Sequence, residues 1–324
     1  MGFRTWTRHV TIAFLSLLIV SMLSAAGVSA AYPDHEIELV AWASPGGGSD
    51  LMVRTFAEAA KGIFPVPIYV TNRPGGAGAT GMAYLAGRPA DGYALLGVTN
   101  NLVFTPLTQP DVRYDASDFT PIIAFGIDAK VVAVASSSPF QTLADLVEAA
   151  RAKPQSVRIA TFGVGSDDHI TGILLERAAG VRFQYVPFSG GGQQMASVLG
   201  GHVEATVTEI NEVLSQIEAG NMRVLASATE RRLGGFPNVP TMRELGYDVV
   251  VPKFRGIVVK KGTPADVVDY LIQASTQVVR TPRFQEYLKQ NVIEPAEITG
   301  EDFEKLIADQ VETFGAILKE LASQ

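Results

Sequence analysis

The chain has 324 residues, 26 of them basic against 33 acidic, and no cysteine. The acidic balance argues against nucleic acid as a partner, and the lack of thiols excludes disulfides, thiolate metal sites and a cysteine nucleophile. Any anion site must then be local and built from helix ends rather than from a diffuse basic surface.

Arg4 and Arg8 precede an apolar run from Val10 to Leu23, and small residues follow, ending in Val28-Ser29-Ala30. This is the form of a secretory signal peptide over residues 1–30, cleaved after Ala30. The run is shorter than the ~20 residues of a spanning helix, and with no cysteine after it there is no lipidation site. Loss of the leader leaves 24 basic residues against 33 acidic. Without disulfides the exported product must be stabilised by its core, and it is long enough for two lobes.

The first element of the mature chain carries the clearest signal. Ile37, Leu39, Val40, Ala41 and Trp42 form a nearly continuous apolar run suited to a strand buried on both faces. Gly46, Gly47 and Gly48 follow, and then a helix whose apolar residues Met52, Phe56, Ala59 and Ile63 recur at helical spacing, with Ser49 as its expected N-cap and Asp50 in its first turn. Such a loop offers backbone N–H groups at the positive end of a helix, a seat for a carboxylate; a tight turn that needs glycine only for its backbone angles fits the same residues.

A second strand at Ile68 to Thr71 leads into a GxGxxG match at Gly76, Gly78 and Gly81. Its context does not support a dinucleotide site: Gly87, Pro89 and Gly92 cut the helix short, and the third strand, Tyr93 to Val98, ends in Thr99-Asn100-Asn101 without the expected acidic residue. Thr99 to Asn101 suit either a helix cap or a ligand contact. Strands are expected at Ile122 to Phe125 and Lys130 to Ala135, joined at Gly126 to Asp128. Thr142 and Asp145 form a capping box for the helix Leu143 to Ala152.

The opening pattern then recurs twice. Strand Val157 to Phe162 leads through Gly163 to Asp168 into the helix His169 to Ala179, and strand Phe183 to Val186 leads through Pro187 to Gly192 into the helix Gln193 to Leu199. Three glycine loops before helices, in an alternating α/β chain, point to several helix N-termini aimed at one crevice at the strand ends. His169 reads as a helix-start hydrogen-bonding residue, because no metal-binding histidine spacing accompanies it. Ser49 and Ser166 lack a GxSxG elbow. Further strands are expected at Ala205 to Thr208, ending in Glu209, at Val224 to Ala228, and on both sides of a polar break at Pro252 to Gly256. From Pro264 onward the pattern is helical, with no further strand expected, so the terminal helices should pack on the first lobe.

Taken together, PGGGSD at Pro45 to Asp50, NRPGGAGATG at Asn72 to Gly81, ADGYALL at Ala90 to Leu96, VPFSGGG at Val186 to Gly192 and FRGIVVKKGTP at Phe254 to Pro264 resemble the periplasmic receptors of tripartite tricarboxylate transporters, the Bug receptors. The resemblance spans the mature chain. It implies an α/β, two-lobed periplasmic binding protein fold whose chain crosses twice between lobes that close on a ligand, with residues 31–128 and 254–324 in one lobe and 129–253 in the other. It implies a non-enzymatic, monomeric receptor without cofactor or metal, delivering a small organic carboxylate to the transporter's membrane subunits. The ligand residues it implies are Ser44, Gly46, Gly47, Gly48, Ser49, Asp50, Thr99, Asn101, Phe162, Gly163, Gly165, Ser166, His169, Phe188, Ser189, Gly190, Gly191, Glu209 and Arg255. Many relatives carry Tyr-Lys-Gly where this chain has Phe188-Ser189-Gly190, which removes a basic contact, and Glu209 stands where relatives often have Asp. The alternatives from other classes are a periplasmic enzyme, using the Gly76 to Gly81 loop for NAD or Ser49 or Ser166 for hydrolysis, and a ligand-presenting partner of a sensor.

Overall fold

The computed structural model describes residues 32–188 and 191–322; the leader assigned to residues 1–30 lies outside the described residues, as do Ser189 and Gly190. Ile37–Ala41 (β1) is buried at every position, as its nearly continuous apolar run requires of a central strand; its one charged residue, Glu38, accepts from Thr71 and Tyr84. It pairs in parallel with Ile68–Asn72 (β2) and with Ala94–Val98 (β3). The connecting helices are Gly48–Ala59 (α1) and Ala79–Ala86 (α2). Gly97 lets α1 approach β3, since a Cβ there would stand 2.3 Å from Val53 Cγ1.

After Asn101–Thr108 (α3), the strand Phe119–Asp128 (β4) joins this sheet, while Lys130–Ala135 (β5), one residue later, belongs to another. The second sheet is built from Arg158–Phe162 (β6), Gln184–Phe188 (β7), Ala205–Glu209 (β8) and Met222–Ser227 (β9) around β5. Its helices are Leu143–Ala152 (α4), Asp167–Ala179 (α5), Gly191–Leu199 (α6) and Ile210–Glu218 (α7). The chain returns to the first sheet through Lys253–Lys260 (β10), and ends with Ala265–Val279 (α8), Pro282–Gln290 (α9), Glu294–Thr299 (β11) and Gly300–Ala322 (α10). As expected, the terminal helices return to the first sheet: α8 and α10 pack on β4, and α9 packs on α1.

The two sheets repeat one plan. Their strand orders are β11-β4-β10-β3-β1-β2 and β7-β6-β8-β5-β9. Each holds three parallel strands, and beside the third lies an antiparallel strand that has just crossed from the other sheet: β10 against β3, and β5 against β8. The carboxyl ends of the parallel strands therefore lie beside the crossings, where open α/β sheets place their ligand crevice.

Four expectations are corrected. A strand does follow Pro264: β11 runs antiparallel to β4 on the sheet edge, the position in a sheet where a proline such as Pro295 is tolerated. Ser49 does not cap α1, because Gly47 is the N-cap and Ser49 lies buried in the first turn. Gly126 is not a joint. β4 continues through it, opposite Arg255 and Pro295, and a Cβ would meet Ile293 Cγ2 at 2.5 Å, so glycine here serves close packing. The polar stretch after Pro252 is likewise strand, pairing with β4 from Lys253 onward.

Candidate functional site

A crevice of about 420 Å³ opens where the carboxyl ends of both sheets meet. A larger cavity of about 620 Å³ lies between α3, the start of β4 and α10, away from the strand ends and mostly apolar; the smaller one lies where the topology places ligands. One wall of the crevice comes from the first sheet: Trp42, Ala77, Thr99, Asn100, Asn101, Phe104, Thr105 and Thr108, none of them ionisable. The other comes from the second: Phe162 to Asp168, Glu209 and Glu212, with Lys253 at the junction.

The second wall holds a charge network that starts from the crossings. Lys130 and Lys253 are the first residues of the two strands that have just crossed, β5 and β10, and lie in register with Glu209 and Asp128 respectively. Fully buried, Lys130 Nζ donates to Asp168 Oδ1 at 2.5 Å and to Glu209 Oε1 at 2.7 Å, and lies 3.1 Å from Asp167 Oδ2. Lys253 Nζ also pairs with Glu209. Asp167, Asp168 and Glu209 bring their oxygens within 4.8 Å of one another, close enough to share a metal ion, but the Lys130 ammonium already bonds all three. Burial alone would discharge Lys130; the three carboxylates overcome it and hold its pKa well above the usual lysine value. Burial opposes ionisation of Glu209 too, yet the two lysines hold its pKa well below the carboxylate range. Asp168, more deeply desolvated and beside Glu209 and Asp167, is pushed up to about 7.

Of the expected ligand residues, Thr99, Asn101, Phe162, Gly163, Gly165, Ser166 and Glu209 line the crevice. Ser44, Gly46, Gly47, Gly48, Ser49, Asp50, His169, Phe188, Gly191 and Arg255 are not among its lining residues, although Trp42 just ahead of the first loop is. The first-lobe loop spends much of its donor capacity on itself. Gly46 N–H donates to Asp50 Oδ2 at 2.9 Å, Gly47 N–H to the Ser44 carbonyl at 3.1 Å, and Asn72 Nδ2 and Arg54 Nε complete the Asp50 carboxylate. In the second loop Phe162 N–H goes to Asp168, Gly163 N–H to the Phe188 carbonyl, and Gly165 N–H to His169 Nδ1. Ser166 caps α5 by accepting from His169 N–H. His169 packs edge-on against Tyr185, 4.5 Å between ring centres, and burial lowers its pKa. Arg255 donates Nε to Asp128 at 2.9 and 3.0 Å as a buried pair. Gly191 lies against Glu212, whose Oε2 would be 2.6 Å from a Cβ there.

The sequence reading passed over Trp42, Lys130, Asp167, Asp168, Glu212 and Lys253 as site residues. The available signal was Lys130 itself, a lone charge opening the apolar run Lys130 to Ala135, which a buried strand tolerates only if carboxylates meet it. The GxGxxG loop has a packing role: a Cβ at Gly81 would touch Trp42 and one at Gly78 would stand 2.1 Å from Asn101 Nδ2, so these glycines let the loop lie against the crevice wall. Trp42 and Asn101, both residues of that wall, hold buried donors, Nε1 and Nδ2, without a hydrogen-bond partner among the described residues. Orphan donors are rare in folded proteins and mark strain or a missing acceptor.

A family model described as the tripartite tricarboxylate transporter family receptor (TctC) matches residues 52–322. The BugT protein of Bordetella pertussis is 28% identical over 97% of this chain and 98% of its own length. A protein from the gbd 5′ region of Cupriavidus necator is 29% identical over 90% of this chain and 88% of its own. A crystal structure of a TctC solute-binding protein from Polaromonas, without ligand, superposes with a TM-score of 0.82 at 30% identity, covering 89% of this chain and 99% of that one. The chain therefore belongs to the tripartite tricarboxylate transporter receptor family, whose members are periplasmic solute-binding receptors and not enzymes.

Proposed function

We propose that this protein is exported by cleavage after Ala30, captures a small organic carboxylate in the crevice between its two sheets as a monomer without cofactor, and delivers it to the membrane subunits of a tripartite tricarboxylate transporter. The reading rests most on one observation: the crevice lies where the carboxyl ends of both sets of parallel strands converge, with the orphan donors Trp42 Nε1 and Asn101 Nδ2 on its uncharged wall. A carboxylate oxygen is the acceptor those donors lack. Thr99, Asn101, Gly163, Gly165 and Ser166 border the ligand in this reading, whereas Ser44 to Asp50, His169, Phe188, Gly191 and Arg255 shape the loops and the crossing around it. Among the described residues, 36–128 and 254–322 form one lobe and 129–253 the other, joined through Ala129 and Pro252, and the lobes close on the solute.

A thermal-shift screen with dicarboxylates, tricarboxylates, aromatic acids and amino acids tests this. A ligand at a hundred times its dissociation constant adds about 2.7 kcal/mol of stability, on the order of 5 °C in a chain of this size. At least one acid should produce such a shift. A shift with NAD and with none of the acids would refute the receptor reading.

A further inference from the structure

The second loop of the crevice is pinned by a histidine where helix starts ordinarily use an acid. Ser166 is the N-cap of α5 and accepts at 3.2 Å from the N–H of His169, the third helical residue. The His169 side chain completes the exchange: Nδ1 accepts from Gly165 N–H at 3.0 Å, so the neutral ring carries its proton on Nε2. This is the reciprocal arrangement of a capping box, one residue earlier than usual and with imidazole in the place of Glu or Gln. Gly165 is also the point at which the loop meets the opposite wall. Its φ is +77°, and a Cβ there would stand 2.9 Å from Leu318 Cδ2 on α10 and 3.8 Å from Cγ2 of Thr108, a residue of the first wall. Tyr185 holds the imidazole in place. Its hydroxyl donates to Glu176 at 2.6 Å, its ring packs on His169, and Gly172 leaves the room it occupies, since a Cβ there would stand 2.6 Å from Cε1.

We infer that His169 is a positioning residue for solute binding: its neutral ring holds Gly165, and with it the loop Gly163 to Ser166, in the form that lines the crevice, so that a proton on Nδ1 competes with the solute. This rests on the receptor reading above and adds an acid-driven release to it. A protonated Nδ1 is a donor facing the Gly165 donor, so the contact that fixes the loop turns into a repulsion. The surroundings do not offset that charge. The ring stands in the first turn of α5, where the helix dipole disfavours a cation. It lines a cavity of about 580 Å³ with Glu176, Arg177, Arg182, Tyr185 and Glu320, in which Glu176 is taken by Arg182 and Tyr185, and Glu320 by Arg177. Asp167 and Asp168, beside it on α5, are taken by Lys130. Arg182 and Glu320 are exposed, so the cavity gives solvent protons a way to the ring. Burial lowers the pKa of His169 below the ordinary value of 6.5. The ring is therefore neutral at pH 7.5, and the solute-holding form of the loop is lost as the pH falls through that lowered pKa.

The test is a calorimetric titration, from pH 7.5 down to pH 4.5, of the tightest-binding acid of the thermal-shift screen into the wild type, His169→Asn and His169→Leu. Asparagine places Oδ1 where Nδ1 stands and accepts without titrating; leucine fills the space without accepting. At pH 7.5 His169→Leu should bind about tenfold more weakly than the wild type, as the loss of one buried acceptor implies, and His169→Asn should recover most of that loss. On acidification the wild type should lose at least about fivefold more affinity than His169→Asn, whose profile carries the titration of the solute, Asp168 and Glu209 without that of the ring. A second measurement needs no variant: in the solute-free wild type the Gly165 amide, followed by NMR hydrogen exchange, should lose its protection with the midpoint at which the His169 ring protonates. Parallel pH profiles in the wild type and His169→Asn overturn the inference and leave the receptor standing. So does an affinity that rises in acid in the wild type alone, which would make the imidazolium an attractor for the solute. Equal binding by His169→Leu and the wild type at pH 7.5 overturns the positioning role. Should a variant fail to fold, the exchange measurement decides, and a Gly165 amide that stays protected through the titration of the ring overturns the inference. Failure of every acid to bind overturns both readings.

Discussion

Lys130 shows how one residue can hold a wall together. Removing one partner from a buried charge network costs about 3–5 kcal/mol because the others are left uncompensated. Lys130→Met should therefore destabilise the chain by that order at pH 7.5, measured by urea denaturation. The sign of the pH dependence follows from what remains. Without the ammonium, Asp168 keeps its burial and its neighbouring carboxylates while Lys253 still pairs with Glu209, so the folded-state pKa of Asp168 rises further above that of the unfolded chain. Protons then bind the folded state more tightly, so the variant loses stability as pH rises and regains part of it near pH 5. A deficit that stays constant or grows on acidification would mean that the three carboxylates do not depend on Lys130. In the wild type the contributions oppose one another. Glu209, held low by its lysines, stabilises the fold above its unfolded pKa and loses that contribution in acid, while Asp168, raised to about 7, becomes a growing cost between the ordinary aspartate value of 3.8 and neutrality. This pairing was not legible in the sequence, because Lys130, Asp167 and Glu209 come from three separate elements: the register of β5 against β8 sets Lys130 beside Glu209, and β6, paired with β8, leads into the start of α5 that carries Asp167.

At the scale of elements, the crossing is held by Asn100, the N-cap position of α3. Asn100 Nδ2 donates to the Pro252 carbonyl at 3.3 Å, and its Oδ1 accepts from Phe254 N–H at 3.0 Å, tying α3 to the start of β10. Asn100→Ala would leave the buried Phe254 N–H without its acceptor. The expected cost is about 2 kcal/mol in the urea midpoint with an unchanged m value; a cost below about 0.5 kcal/mol, the range of an ordinary surface substitution, would show that the side chain does not pin the crossing. The alternation of strand and helix from Ile37 to Glu218 was readable because buried strands are continuous apolar runs and their helices carry capping signals such as Thr142 with Asp145, which the structure shows as a reciprocal box. β11 was hidden for the opposite reason. As an edge strand it has Glu294, Pro295 and Glu297 among its six residues, and its pairing with β4 depends on a neighbour rather than on its own pattern. Gly126 and Pro252 to Gly256 misled in the same way: glycine and proline look like breaks locally, but here one is a packing contact and the other lies where the chain enters β10.

In the whole molecule, the repeated strand–glycine loop–helix units did foretell two sheets with their strand ends turned to one crevice. What they did not foretell is that the glycine loops are largely satisfied from within, by Asp50 in one and by Asp168 and His169 in the other. Recognition therefore shifts from open backbone seats toward the side chains of the two walls. The site's location can be tested without disturbing either the charge network or the loops. Thr108, the exposed last residue of α3, lines the crevice, and its hydroxyl only bonds back to the Phe104 carbonyl within its own helix. The most direct measurement is a calorimetric titration of the tightest-binding acid into the wild type and into Thr108→Trp, whose indole would fill the crevice from the first wall. The crevice account predicts one solute per wild-type chain and an affinity at least about 30-fold weaker in the variant, roughly 2 kcal/mol, with the folded state intact by circular dichroism. Equal affinity in the two proteins would place the solute elsewhere and contradict the account.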